Sequence, residues 1–118
     1  IFITHNLSVV KHVSSDIMVM YMGCLVEKAG TEELFERHLH PYTKGLLSAI
    51  PIPSLHVQRN QILLEGEVTS PVNPKPGCRF CSRCVYAKDI CRTEDPAIEE
   101  VLPGHFVACH CVREINDL

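Results

Sequence analysis

Six of the seven cysteines fall between residues 78 and 111. No other feature restricts the chain as tightly, because thiols gathered this densely must be given a common environment. The total is odd, and no basic stretch followed by an apolar run and a small-residue cleavage site marks a secretory signal. Both observations argue against a disulfide framework and for ligation of a metal or cluster. Cys78, Cys84, Cys91 and Cys109 follow the spacing C-x5-C-x6-C-x17-C, with Cys81 and Cys111 in addition. Four thiolates from a loop, a short helix and a strand suit a [4Fe–4S] cluster or a tetrahedral zinc, and the spacing leaves both open. Buried free cysteines are the plain alternative. Arg79, Arg83, Lys88 and Arg92 interleave with the thiols, and positive charge there lowers thiol pKa and offsets the charge of a thiolate centre.

The residues before this cluster read as mixed α/β. Ile1–Thr4 is a β-branched apolar run, expected as a buried strand. Asn6 is placed to cap a helix running to Ser15. Ile17–Met22 and Cys24–Lys28 form a hairpin around Gly23. Thr31 is expected to cap a helix with Glu32 and Glu33 in its first turn, and Pro41 to open another that ends near Ile50. Pro51 and Pro53 stop it. Gln61–Glu65 reads as a strand, and three prolines and one glycine make Thr69–Gly77 a loop. In the Cys-rich part the pattern predicts a helix around Val85–Arg92, which puts Cys84 and Cys91 on one face if it extends that far. It also predicts a strand over His105–Val112, with Cys109 and Cys111 sharing a face. Three units follow: 1–53, a connecting arm at 54–77, and a tail at 78–118.

Net charge is −3 and there is no Trp, so neither a basic field nor an aromatic-basic surface points to nucleic acid. The longest mostly apolar run, Ile17–Val26, is far short of the roughly 20 residues a membrane span needs. Met18, Met20 and Met22 alternate along a strand and are expected to pack in the core. Cys24 reads as a small core or surface residue. His38 and His40 flank a helix start, where capping or surface roles outweigh ligation. His5 follows an apolar strand. It is either an ordinary strand-end histidine or a phosphate-sensing or proton-shuttling one, since ligands of open α/β sheets bind at strand ends. No G-x-x-x-x-G-K-[ST] loop, G-x-S-x-G elbow or H-E-x-x-H is present, so the chain alone is expected not to be an enzyme.

The segment order resembles a known family. Ile1-Phe2-Ile3-Thr4-His5-Asn6-Leu7-Ser8 resembles the switch-histidine segment of ABC-transporter ATPases, and Ile17–Glu27 with Gly30 the hairpin after it. His40-Pro41-Tyr42-Thr43-Lys44, Ala49-Ile50-Pro51-Ile52-Pro53, Leu64-Glu65-Gly66-Glu67-Val68, Ser70-Pro71-Val72-Asn73-Pro74, Gly77-Cys78-Arg79-Phe80 and Gly104-His105-Phe106-Val107-Ala108-Cys109-His110 narrow this to ATP-binding subunits of oligopeptide, dipeptide and nickel transporters.

The resemblance implies the C-terminal part of a P-loop ABC ATPase domain followed by a small Cys-rich unit. The nucleotide-gripping motifs, with ATP and Mg²⁺, would lie in a longer parent. It implies His5 as the switch histidine, idle in the fragment, and a [4Fe–4S] cluster on Cys78, Cys84, Cys91 and Cys109. Cys81, Cys111 and Val85 depart from the family pattern, and either extra thiol is a possible substitute ligand. It implies a second ATP-binding subunit and transmembrane permeases as partners, at the cytoplasmic face of the membrane, with peptides favoured over nickel as solute. Ile1–Thr4, without parallel neighbours, is expected to be exposed, disordered or exchanged in a strand-swapped homodimer. A metal-binding interaction module without nucleotide chemistry is the alternative function.

Overall fold

A computed structural model describes residues 3–4, 7–49 and 76–118. Helix α1 spans Leu7–Val13, strand β1 Asp16–Tyr21 and strand β2 Cys24–Gly30. Helices α2 (Thr31–Glu36) and α3 (Pro41–Ser48) follow. Beyond residue 75 come a 3₁₀ turn at Cys81–Arg83, helix α4 (Asp89–Thr93), strands β3 (Glu99–Leu102) and β4 (His105–Val107), and helix α5 (Val112–Ile115).

The strands make one antiparallel sheet in the order β1-β2-β4-β3. Met22 (φ 51°) and Gly23 (φ 78°) connect β1 to β2, with Tyr21 opposite Cys24. Two consecutive positive φ values match the twist of a tight hairpin. Gly104 (φ 72°) turns β3 into β4 and donates its N–H to Glu100 Oε1 at 2.8 Å. Strand β4 then pairs with β2 through Glu27↔Val107 and Lys28↔Phe106. The Cys-rich part is therefore built onto the hairpin by backbone hydrogen bonds.

The main core follows the same join. Val10, Ile17, Val19, Tyr21, Val26, Ala29 and Leu34 pack with Phe80 from the tail. The Phe80 ring lies 5.3 Å from that of Tyr21, edge-on, and 5.6 Å from that of Tyr42. A second cluster holds Leu39, Val101, Val107 and Val112.

Several sequence expectations change. Ile17, Val19 and Tyr21 face the core, so Met18 and Met20 point outward at 60% and 57% exposure. Both stripes of this strand are apolar, and the β-branched and aromatic one fits the pleated interior better. Met22 leaves the strand for the turn but still packs, half-buried, against the core as expected. Thr31 does not cap α2. It is the first helical residue, the cap is Gly30, and the Thr31 hydroxyl donates to Ser14 O at 2.6 Å. Helix α1 stops at Val13 rather than Ser15, and α3 stops at Ser48. Ile3 and Thr4 carry no regular structure, and Ile3 is 94% exposed. Ile1, Phe2, His5, Asn6 and the whole 54–75 stretch, with its expected strand at 61–65, lie outside the described residues.

Candidate functional site

Cys78, Cys81, Cys84, Cys91, Cys109 and Cys111 all line one cavity, together with His40, Phe80, Tyr86 and His110. The backbone assembles it in three pieces. Gly77 (φ +110°) lets the chain pass against α4, where a Cβ would stand 2.7 Å from Cys91 O and from the carbonyl carbon of Arg92. That approach allows Cys78 N–H to donate to Cys91 O at 2.7 Å. The 3₁₀ turn then presents Cys81 and Cys84, and α4 presents Cys91. The third piece is the turn after β4, which brings in Cys109 and Cys111.

The expected route to this convergence differs at two points. Lys88 is extended (φ −116°, ψ 172°), so α4 begins only at Asp89 and Cys84 shares no helix with Cys91. Strand β4 ends at Val107 because its pairing with β2 runs out there, apart from Ala108 N–H donating to Val26 O at 2.9 Å. Cys109 and Cys111 converge through a turn, not through one face of a strand. Cys24 is exposed on the hairpin, and all seven cysteines are free thiols.

Burial governs the chemistry of the cage. It raises the thiol pKa of Cys78, Cys81, Cys84 and Cys111, and pushes Cys109 up to about 12. A cation is therefore needed to bring these groups to thiolate. Two of the interleaved cations have carboxylate partners: Lys88 pairs with Glu114, and Arg92 with Asp89 at 3.2 Å. The charge of Arg92 nearby opposes the shift at Cys81.

Among the described residues, no three His, Cys, Asp or Glu side chains are arranged to hold one metal ion. Tetrahedral zinc needs four donors at about 2.0–2.3 Å from a single point. A [4Fe–4S] centre spreads its thiolates over four irons and does not require that common point. Thiols are donors that both centres accept. The free space between the side chains is only about 10 Å³, so the cage would widen around any such group.

Two features escaped the sequence reading. His40 caps α3 as expected, accepting Tyr42 N–H on Nδ1 at 3.0 Å, but its burial (1% exposed) and its place in the cage wall were not foreseen. Burial lowers its pKa to about 4, so the ring is neutral. Glu27, fully buried, accepts Leu39 N–H (2.7 Å), His40 N–H (3.0 Å) and His105 Nε2 (2.6 Å). His105 Nδ1 stands 3.3 Å from Glu33 Oε1. This network holds β2, α2, β4 and the start of α3 together. A charged residue inside β2 was the only local signal, and its partner lies far away in sequence.

The sequence model described as "Oligopeptide/dipeptide transporter, C-terminal region" matches residues 26–91. The chain belongs to this family. Most of β2, helices α2 and α3 and the first four cage cysteines lie within the matched stretch. The oligopeptide transport ATP-binding protein AppF of Bacillus subtilis (strain 168) is 48% identical over 93% of this chain and 34% of its own length. The putative oligopeptide transport ATP-binding protein YkfD of the same organism is 50% identical over 96% of the chain and 35% of its own. The dipeptide transport ATP-binding protein DppF of Haemophilus influenzae is 47% identical over 92% and 33%. The chain thus spans about a third of the length of these relatives.

Proposed function

We propose that this member of the family works as the C-terminal portion of the ATP-hydrolysing subunit of a peptide-import ABC transporter. The observation that carries the reading is identity of 47–50% over more than nine-tenths of the chain with proteins named for ATP binding in peptide transport. Residues 1–53 would be the end of the ATPase domain, 54–77 an arm, and 78–118 a cluster-bearing tail. A second ATP-binding subunit and permease subunits would complete the machine at the cytoplasmic membrane face. No helix among the described residues is long and apolar enough to cross a membrane, which suits a peripheral subunit.

In this reading His5 contacts the γ-phosphate of ATP, held with Mg²⁺ by the rest of the parent, and orients the attacking water. Phosphoryl transfer depends on positioning and charge stabilisation, so one donor has a large effect. Replacing His5 with Ala in the parent subunit should lower ATP hydrolysis about 100-fold or more while nucleotide still binds. The 118-residue chain by itself should show no ATP binding by calorimetry. Tight binding by the isolated chain, or a His5→Ala parent with full hydrolysis, would overturn the reading.

Cys78, Cys84, Cys91 and Cys109 would hold the [4Fe–4S] cluster, with Cys81 or Cys111 as substitutes. When bound, the cluster would supply one-electron chemistry and a crosslink between the Cys78–Cys84 segment, α4 and the post-β4 turn. Anaerobic purification should give a brown protein with about four irons per chain. Stoichiometric zinc would favour the metal-binding interaction module instead. Colourless, metal-free protein from an anaerobic preparation would remove both.

A further inference from the structure

A second cavity lies beside the cage, between the approach to β3 and the start of α5. It offers about 170 Å³, against about 10 Å³ in the cage. That is the room of about six waters, well under the roughly 300–1,000 Å³ of a pocket for a drug-sized ligand. Glu99 at the start of β3 and Arg113 in α5 both line it, with Pro96, Ala97 and the buried Val112 as its apolar surface. His110 forms a further side, its ring fixed by Nε2–H donating to Glu94 O at 2.8 Å. Other charges in the tail are paired, Lys88 with Glu114 and Arg92 with Asp89. Among the described residues, neither the Glu99 nor the Arg113 side chain has an ion-pair or hydrogen-bond partner. Glu100, next along β3, is engaged by Gly104 N–H. One cavity thus presents a cation and an anion that do not neutralise each other, over an apolar surface.

We propose that this cavity binds a small zwitterion: a free amino acid or a dipeptide with short apolar side chains. The Arg113 guanidinium donates to the ligand carboxylate, whose planar geometry its fork matches. Glu99 accepts from the ligand ammonium, and Pro96, Ala97 and Val112 receive the apolar part. The two charges also set what is refused. Glu99 repels the phosphates and simple anions that Arg113 alone would attract, and Arg113 repels simple amines. A ligand that has lost one of its charges leaves one side chain of the pair without a partner in the bound state. The volume sets the length, since a longer peptide has no room to bring both of its ends inside. The inference is independent of the transport reading: neither nucleotide nor any centre in the cage enters it.

The test titrates the full, ¹⁵N-labelled chain, purified anaerobically, with Ala-Ala and follows its amide signals by NMR. Saturable shifts centred on Ala97, Glu99, Val112 and Arg113 are expected, with a dissociation constant on the order of 1 mM for so small a ligand. N-acetyl-Ala-Ala, which lacks the ammonium, and Ala-Ala amide, which lacks the carboxylate, should each bind about tenfold or more weakly. Free alanine in the same titration separates the two sources: tighter binding of alanine assigns the site to amino acids, and tighter binding of Ala-Ala to dipeptides. Glu99 and Arg113 are both exposed, so Glu99→Gln and Arg113→Gln leave the packing untouched. Glu99→Gln should no longer distinguish Ala-Ala from its N-acetyl form, and Arg113→Gln should no longer distinguish it from its amide. No saturable shift with either zwitterion, shifts centred elsewhere, equal binding of the blocked peptides, or variants that keep the full discrimination would overturn the proposal. The comparison of free and blocked peptides on the unmodified chain decides this even if a variant fails to fold. A failure of the ATPase reading in the parent would leave these titrations unchanged.

Discussion

His40 does three things from one position. Its ring caps α3, packs 5.8 Å from Phe80 and lines the thiol cage, while its own N–H is held by Glu27. Because burial depresses its pKa to about 4, the folded chain resists a proton that the unfolded chain accepts near pH 6.5. The unfolded state then binds more protons, so this contribution is fully present above about pH 6.5 and declines as pH falls towards 4. The loss should total about 3 kcal/mol. Asn caps helices as well as any residue and does not titrate in this range. Urea unfolding of His40→Asn at pH 7.5 and pH 5 should therefore show a smaller acid loss than the unsubstituted chain, by about 1–3 kcal/mol. Equal losses would show that His40 protonates freely in the folded chain.

Glu27 makes a separate prediction. Glu27→Gln places an amide NH₂ where either a backbone N–H or the His105 ring needs an acceptor. Leaving a buried donor without its acceptor costs about 1–3 kcal/mol. Denaturant midpoints should fall accordingly; a change below 1 kcal/mol would mean the pair is worth no more than a surface contact.

At the scale of elements, glycines separate cleanly. Gly23 and Gly77 both have positive φ, but a Cβ on Gly23 meets nothing within 4 Å and one on Gly77 runs into the α4 backbone. Gly23→Ala should cost about 1 kcal/mol. Gly77→Ala must in addition push apart two backbones and should cost clearly more, with faster alkylation of Cys78 and Cys91 in the folded chain. Equal thermal shifts for the two variants would contradict the close approach.

The hairpin and the Pro41 helix start were legible because their signals are local: Gly at a turn, Pro at a first helical position. The contents of the cage were legible because cysteine itself is distinctive. The elements carrying Cys84, Cys109 and Cys111 were not, because tertiary bonds set where α4 begins and where β4 stops. The inward stripe of β1 was ambiguous because Ile17-Met18-Val19-Met20 is apolar on both faces. Polar substitution at Met18 should accordingly shift the stability of this chain by no more than about 0.5 kcal/mol.

At the scale of the molecule, one residue of the tail closes the hairpin's core. Phe80 is 1% exposed among Tyr21, Tyr42 and His40. Phe80→Ala should cost about 3–5 kcal/mol, and the loss should appear in both halves. Hydrogen exchange should show reduced protection in β1 and β2 as well as around the cage. Loss confined to residues beyond 76 would mean that the two parts are stable separately.

The β2–β4 ladder joins residues 27–28 to residues 106–107. On a ribosome, β2 is therefore made long before its neighbour exists, and synthesis at roughly 5–20 residues per second leaves its inner edge unpaired for several seconds. Through that interval Glu27 awaits His105, which is equally late to emerge. The nascent hairpin must be shielded by other means, and slowing translation over the intervening stretch should lengthen its vulnerability to misassembly.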